Sequence, residues 1–205
     1  MQHTEEEWIS YFDKLAEYDY VVIDNFLSND DLKHLLNYFS KAEFKKAAIG
    51  SSGNEKIIGE IRGDYTHWLD NREDVSLQFL FKQLDEVKTL LNKYCYLSLS
   101  SYEFHLALYP IGSFYKKHLD QFSNRNNRMI SLILYLNENW LTGDGGELKI
   151  YPSHPSPSLI APLLNRCVMF RSDTLLHEVL EANKPRKSLT GWMLYQPTKL
   201  VTIAP

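Results

Sequence analysis

Apolar residues recur at helical spacing three times in the first half of the chain. Trp8, Tyr11, Phe12 and Leu15 fall on one face of a first predicted helix. Leu32, Leu35, Leu36 and Phe39 repeat at i, i+3, i+4 and i+7 and predict a second, with Ser28 as its N-cap and Asp31 at N3. Leu77, Leu80, Phe81, Leu84, Val87 and Leu91 make the apolar face of a third, running from about Asp74 to Lys93. Tyr20-Val21-Val22-Ile23 reads as a short strand between the first two. Ala47 to Gly59 differs in kind: it carries Gly50, Ser51, Ser52, Gly53 and Gly59 and few large apolar residues. It reads as a mobile loop or an irregular hairpin, and long connections of this sort are often binding loops.

From about Leu97 the period shortens to that of strands. Tyr102 to Tyr109 alternates, and Met129 to Leu136 is an almost continuous apolar run, as in a buried strand. Further strands are expected at 146–151, 159–161, 166–170, 177–180 and 188–195, separated by turn signals at Gly143 to Gly146, Pro152 to Pro157 and Lys184-Pro185. Short strands so spaced predict a sandwich or barrel. No internal repeat or linker divides the chain, so residues 1–205 are expected to form one domain.

Composition narrows the classes. The chain has 205 residues, 44% hydrophobic and 23% charged, which is ordinary for a globular protein. Its net charge of −4 argues against a nucleic-acid partner, which would want a basic surface. The two cysteines, Cys95 and Cys167, are too few for a secreted disulfide scaffold and read as reduced thiols. The acidic start, Glu5-Glu6-Glu7, carries no signal-peptide core. No apolar run is long enough to span a membrane. The expectation is a soluble, cytoplasmic protein.

The candidate chemistry begins at His118-Leu119-Asp120. In an extended segment, residues i and i+2 point the same way, so this imidazole and this carboxylate could serve one ion. His177 follows the apolar stretch Cys167 to Phe170, and a jelly roll can bring such distant strand ends together. Two His and one carboxylate leave open positions on a metal, which is the facial triad of non-haem Fe(II) oxygenases. His-x-Asp alone is a weak signal, since an exposed polar strand end would look the same. Arg186, shortly after His177, strengthens it. A 2-oxoglutarate bound through its oxoacid end needs a cation for its far carboxylate, and a guanidinium suits that role.

With these residues in view, the sequence resembles the prolyl-hydroxylase branch of the Fe(II)/2-oxoglutarate dioxygenases. It is similar to bacterial enzymes of the elongation factor Tu prolyl hydroxylase type and to the animal hypoxia-inducible-factor prolyl hydroxylases. The matching stretches are Ile61-Arg62-Gly63-Asp64 with Trp68, Tyr109-Pro110, Tyr115, His118-Leu119-Asp120, Tyr135-Leu136-Asn137, Gly145-Gly146-Glu147-Leu148, His177-Glu178-Val179 and Arg186 through Trp192. The resemblance implies an α+β chain. Its core is a double-stranded β-helix (jelly roll) over about 96–197, with the helices of 1–95 packed on one sheet and a substrate loop at 44–64. It implies His118, Asp120 and His177 as iron ligands. Arg186 and Tyr135 would hold the distal carboxylate of 2-oxoglutarate, Tyr109 would lie near its oxoacid end, and Leu148 would wall the pocket. Arg62, Asp64, Arg128 and Trp192 would meet a prolyl peptide. The cofactors implied are Fe(II), 2-oxoglutarate and L-ascorbate (vitamin C), and the products succinate and CO2. The sequence departs from relatives in the 47–59 loop and in the short stretch after Trp192, both places where substrates are chosen.

Each residue also has a plainer reading. Tyr135 would be a strand-edge tyrosine and Trp192 a core residue, with Arg62, Asp64 and Arg128 as surface charges. A buried Tyr135 hydroxyl is expected to find a partner. His3 and His34 are expected to be solvated, His105 a satisfied buried imidazole, His154 a loop residue, and His67 a neighbour of the substrate loop. Gly143 to Gly146 lacks the Gly-Lys-Ser of a phosphate loop. Alternatives to a prolyl hydroxylase are an oxygenase for another amino acid or small molecule, a non-catalytic metal- and ligand-binding sensor, and a hydrolytic Zn site. The last gives Arg186 and Tyr135 no purpose.

Overall fold

A computed structural model describes residues 2–47, 62–121, 127–154 and 156–195. The central part of the expected substrate loop, residues 48–61, lies outside the described residues.

The three amphipathic patterns become three helices. α1 spans Glu5–Tyr18 and begins with a capping box, in which Thr4 and Glu7 satisfy each other's backbone N–H. After β1 (Tyr20–Ile23), α2 spans Asn29–Lys41, and its cap is Ser28, whose hydroxyl accepts from the Asp31 amide at 3.2 Å. Two short strands follow, β2 (Lys45–Lys46) and β3 (Tyr65–Trp68). A 3-10 turn, Val75–Leu77, leads into α3 (Gln78–Cys95).

The second half is strand after strand. β4 spans Leu99–Tyr109, β5 Tyr115–His118, β6 Arg128–Tyr135, β7 Leu148–Tyr151, β8 Ser158–Ile160, β9 Cys167–Arg171, β10 Leu176–Val179 and β11 Arg186–Tyr195. They form a seven-stranded sheet, β1-β9-β6-β11-β4-β3-β2, and a four-stranded sheet, β5-β10-β7-β8, every pairing antiparallel. This is the α+β jelly roll.

Strand alternation decides what each face carries. On β6, Ile130, Leu132 and Leu134 join the cluster that includes Trp8, Phe12, Leu35, Leu80 and Leu84, so the helices cover that face of the large sheet. The intervening Ile133 and Tyr135 join a second cluster with Leu148, Ile150, Val168, Phe170 and Val179, between the two sheets. On β4, Phe104 and Leu106 face the helices, while Ala107 and Tyr109 face the second sheet. Among the described residues no helix is long and apolar enough to cross a membrane. Cys95 and Cys167 are free thiols.

Candidate active site

His118 closes β5 and pairs directly with His177 of β10, so neighbouring strands of the small sheet supply two imidazoles whose centroids are 4.3 Å apart. Each ring is fixed by its own backbone. His118 Nδ1 lies 2.7 Å from the Lys116 carbonyl, and His177 Nδ1 lies 3.0 Å from that of Leu175. A ring nitrogen facing a carbonyl carries the proton, so both Nε2 atoms are left with a free lone pair. Tyr115 stacks on His118 at 3.7 Å, and Phe170 packs against His177 at 4.6 Å.

Asp120 lies just beyond the end of β5, so strand alternation alone does not aim it. Its Oδ2 accepts a 2.6 Å hydrogen bond from Ser131 on β6, and Ser131 in turn meets Ser172 at 2.8 Å. So held, Asp120 Oδ1 is 3.5 Å from His118 Nε2 and Oδ2 is 3.6 Å from His177 Nε2. One ligand atom from each residue lies within 4.8 Å of the others. Burial pushes the Asp120 carboxyl up, but His177, His118 and Ser131 outweigh it and hold the group well below the usual carboxylate range. Burial lowers the basicity of His177, against the opposing charge of Asp120. A carboxylate oxygen and two imidazole nitrogens, with each residue's other polar atom already bonded, fit a divalent transition metal.

These residues open on a cavity of about 530 Å³ between the sheets. Arg186 stands at the opposite wall, at the start of β11. It is 1% exposed, with its guanidinium between the rings of Tyr109 and Tyr135 at 5.0 and 4.9 Å. Its Nε donates to the Gly146 carbonyl at 2.9 Å, but Nη2 has no partner among the described residues. The Tyr135 hydroxyl is also buried, with no hydrogen-bond partner among the described residues. Burial raises the Tyr135 phenol above its ordinary pKa, opposed by Arg186. It also raises Tyr109. Leu148, fully buried at the start of β7, adds an apolar wall.

The charged residues near the cavity mouth are not ordinary surface charges. Asp64 is 1% exposed and takes a bidentate pair from Arg62, at 2.7 and 2.6 Å. Arg62 also lies 4.6 Å over the ring of Tyr115, the residue stacked on His118. Arg128 donates to Glu103 from Nε and Nη2 at 2.9 and 2.6 Å, and covers the Trp192 ring at 3.4 Å. Trp192 is 7% exposed and belongs to the cavity wall.

Of the other histidines, His3 and His105 depart from expectation, whereas His67 lies beside the substrate loop as expected. His3 is partly buried, edge-on to Trp8 and Tyr11. His67 lies on the cavity wall with its nitrogens engaged by the Glu43 carbonyl (2.9 Å) and the Tyr38 hydroxyl (3.2 Å). His105 is buried, but its Nδ1 is unpartnered. His34 and His154 are exposed, as expected. Sequence reasoning missed Ser131 and Ser172. The only trace was a lone hydroxyl inside the apolar run of β6.

A jelly roll with a His-x-Asp…His cluster facing a buried arginine defines the class of non-haem metal oxygenases. The pattern of the 2OG-Fe(II) oxygenase superfamily matches residues 104–194. The crystal structure of a Pseudomonas putida prolyl-4-hydroxylase superposes with a TM-score of 0.83 at 31% identity, over 93% of this chain and 100% of that one. A Trichoplax adhaerens prolyl hydroxylase, solved with a hypoxia-inducible-factor oxygen degradation domain peptide, gives a TM-score of 0.81 at 25% identity, covering 93% and 90%. The hypoxia-inducible factor prolyl hydroxylase of Caenorhabditis elegans is 30% identical over 88% of this chain, which spans 27% of that protein's length. The mouse prolyl hydroxylase EGLN3 is 32% identical over 64% of this chain, which spans 58% of it. The chain belongs to the 2OG-Fe(II) oxygenase superfamily.

Proposed function

We propose that this chain is one catalytic domain, an Fe(II)- and 2-oxoglutarate-dependent dioxygenase that hydroxylates a prolyl residue of a protein and releases succinate and CO2. Elongation factor Tu is the substrate we put forward. The observation that carries the reading is a pair of orphaned polar groups. Arg186 lines the cavity that also holds His118, Asp120 and His177, with Tyr135 beside it, and its Nη2 and the Tyr135 hydroxyl are buried with no hydrogen-bond partner among the described residues. Buried polar groups left dry are costly. A dicarboxylate reaching across the cavity satisfies them at one end and meets the metal at the other.

In this reading His118 Nε2, an Asp120 carboxylate oxygen and His177 Nε2 hold Fe(II). Bound there, the metal supplies the oxygen chemistry that side chains lack. The residues do the positioning. Arg186 grips the distal carboxylate, its Nε anchored on Gly146. The Tyr135 hydroxyl donates to the same carboxylate. Tyr109 borders the oxoacid end, and Leu148 keeps water from it. Arg62, Asp64, Arg128 and Trp192 receive the polypeptide. L-ascorbate would keep the iron reduced, and free thiols at Cys95 and Cys167 suit a cytoplasmic protein.

The likeness to prolyl hydroxylases from Pseudomonas putida and Trichoplax adhaerens supports a prolyl target over a small molecule. The test is to incubate Fe(II)-loaded protein with 2-oxoglutarate and intact elongation factor Tu, with a His118→Ala control. The reading expects succinate and a hydroxylated proline together, both absent from the control. Succinate without hydroxyproline would point to another amino acid or a small molecule. A protein that binds 2-oxoglutarate and forms no succinate with any substrate would be a sensor.

A further inference from the structure

The cavity carries a charge opposite to that of the chain as a whole. The chain's net charge is −4, yet Lys45, Lys46, Arg62, Arg128 and Arg186 line the cavity against Glu43 and Asp120. The three arginines each have a partner or a task. Arg62 is paired with Asp64 and Arg128 with Glu103, at 2.6 Å each, and Arg186 stands at the cosubstrate end. Lys45 and Lys46 are exposed and have no ion-pair partner among the described residues.

Sheet register separates the two lysines. Lys45 pairs with Thr66, Thr66 with Ala107, Ala107 with Ser188 and Ser188 with Tyr135, which makes one rung across the large sheet. Side chains on one rung share a face. Ala107 and Tyr135 pack between the two sheets and Thr66 lines the cavity, so Lys45 faces the cavity as well. Lys46 lies on the next rung with Tyr65 and Leu108, and Leu108 packs against the helix-side core. Lys46 therefore turns the other way and meets only the cavity rim. β2 is the edge strand of its sheet, which places Lys45 at the mouth. Four inter-strand steps of about 4.8 Å put it roughly 19 Å from Tyr135, too far to share a dicarboxylate with Arg186.

We propose that Lys45 is a specificity-determining residue, which selects polypeptides that carry an Asp or Glu within a few residues of the target residue. The proposal rests on the hydroxylase reading of the cavity and narrows its substrate class to an acidic segment. The cationic wall draws such a segment in, and the carboxylate pairs with the Lys45 ammonium. A segment that is basic at the same place meets Lys45 as a like charge and is disfavoured.

The test uses the protein loaded with 2-oxoglutarate and either Zn(II), for calorimetric peptide Kd, or Fe(II), for turnover. The peptides have one central proline and one Glu moved through the positions on either side, with Gln or Lys at the same positions for comparison. At one or more positions the parent should bind the Glu peptide about two- to fivefold more tightly than the Gln peptide, the weight of an exposed ion pair. The margin should shrink as salt is added. Lys45→Gln should abolish it, and Lys45→Glu should turn the preference toward the Lys peptide. Lys14→Gln, which makes the same change in net charge on α1, should keep it. Equal affinity for Glu and Gln peptides at every position, or a margin that survives in Lys45→Gln, would overturn the proposal, while hydroxyproline in those peptides would leave the hydroxylase reading intact. A parent that neither binds nor hydroxylates any peptide would remove both.

Discussion

The Ser131 hydroxyl donates to Asp120 Oδ2 at 2.6 Å, and that bond across the two sheets holds the carboxylate of the candidate metal cluster. Asp120 lies outside its strand, and Arg128 Nη1 holds only its backbone carbonyl, at 3.3 Å, so Ser131 is what fixes the carboxylate beside His118 and His177. Ser131→Ala should leave the fold intact and weaken divalent metal binding by roughly ten- to a hundredfold, the usual effect of losing an outer partner of a ligand. Metal titration of the purified variant checks this. Unchanged affinity would mean that Ser131 only fills space.

Arg186 is a buried cation with one nitrogen unused. Buried charges are costly unless fully paired. Arg186→Met should therefore leave the ligand-free protein as stable as the parent or more so. The rise in Tm that 2-oxoglutarate gives the metal-loaded parent should vanish in the variant, because only a ligand that binds the folded state stabilises it. Thermal melts with and without 2-oxoglutarate measure both effects. A full ligand-induced shift in the variant would require another cation for the distal carboxylate.

Gly146 backs that arginine. Its φ is +65°, and an added Cβ would stand 3.0 Å from Arg186 Cδ and 3.3 Å from the Ala182 side chain. Gly146→Ala should cost about 1–2 kcal/mol for the left-handed backbone. It should also displace Arg186 enough to weaken 2-oxoglutarate binding several-fold. Chemical denaturation and ligand titration separate the two. A stability loss with unaltered affinity would show that Arg186 tolerates the shift.

Much of this arrangement was legible in the residues themselves, and the failures are instructive. The helical faces of α1 and α2 and the Ser28 cap follow from periodicity and capping chemistry. β5 does not: Tyr115-Lys116-Lys117-His118 has no alternation of apolar residues, because it is an edge strand with both lysines exposed and its other two side chains on the cavity. β3 was hidden because none of its residues is fully buried, with Thr66 and His67 in its middle. His118, Asp120, His177 and Arg186 stood out because charged or ligating residues bracketed apolar runs. Ser131, Ser172 and the unmet nitrogen of His105 could not be found that way. Their roles depend on which strands become neighbours and on what remains unpaired afterwards.

Burial of His105 predicts a pH signature. Its folded pKa, pushed down to about 3, lies below the ordinary value of 6.5. As pH falls below 6.5 the unfolded chain takes up this proton and the folded chain does not, so stability is full above that value and declines toward about pH 3. The slope attributable to one such group approaches about 1.4 kcal/mol per pH unit. Denaturant unfolding of metal-free protein across this range should show the decline, and His105→Leu should make it shallower. Parallel profiles for parent and variant would contradict a neutral, buried imidazole.

The most direct measurement of the central claim is the coupling of two products in one reaction. Fe(II)-loaded protein is given 2-oxoglutarate, O2 and intact elongation factor Tu, and succinate is quantified beside hydroxyproline located by peptide mass spectrometry. The account predicts equal amounts of both, lost together in His118→Ala and in His177→Ala. Hydroxyproline formed at the parent's rate by either variant would contradict it.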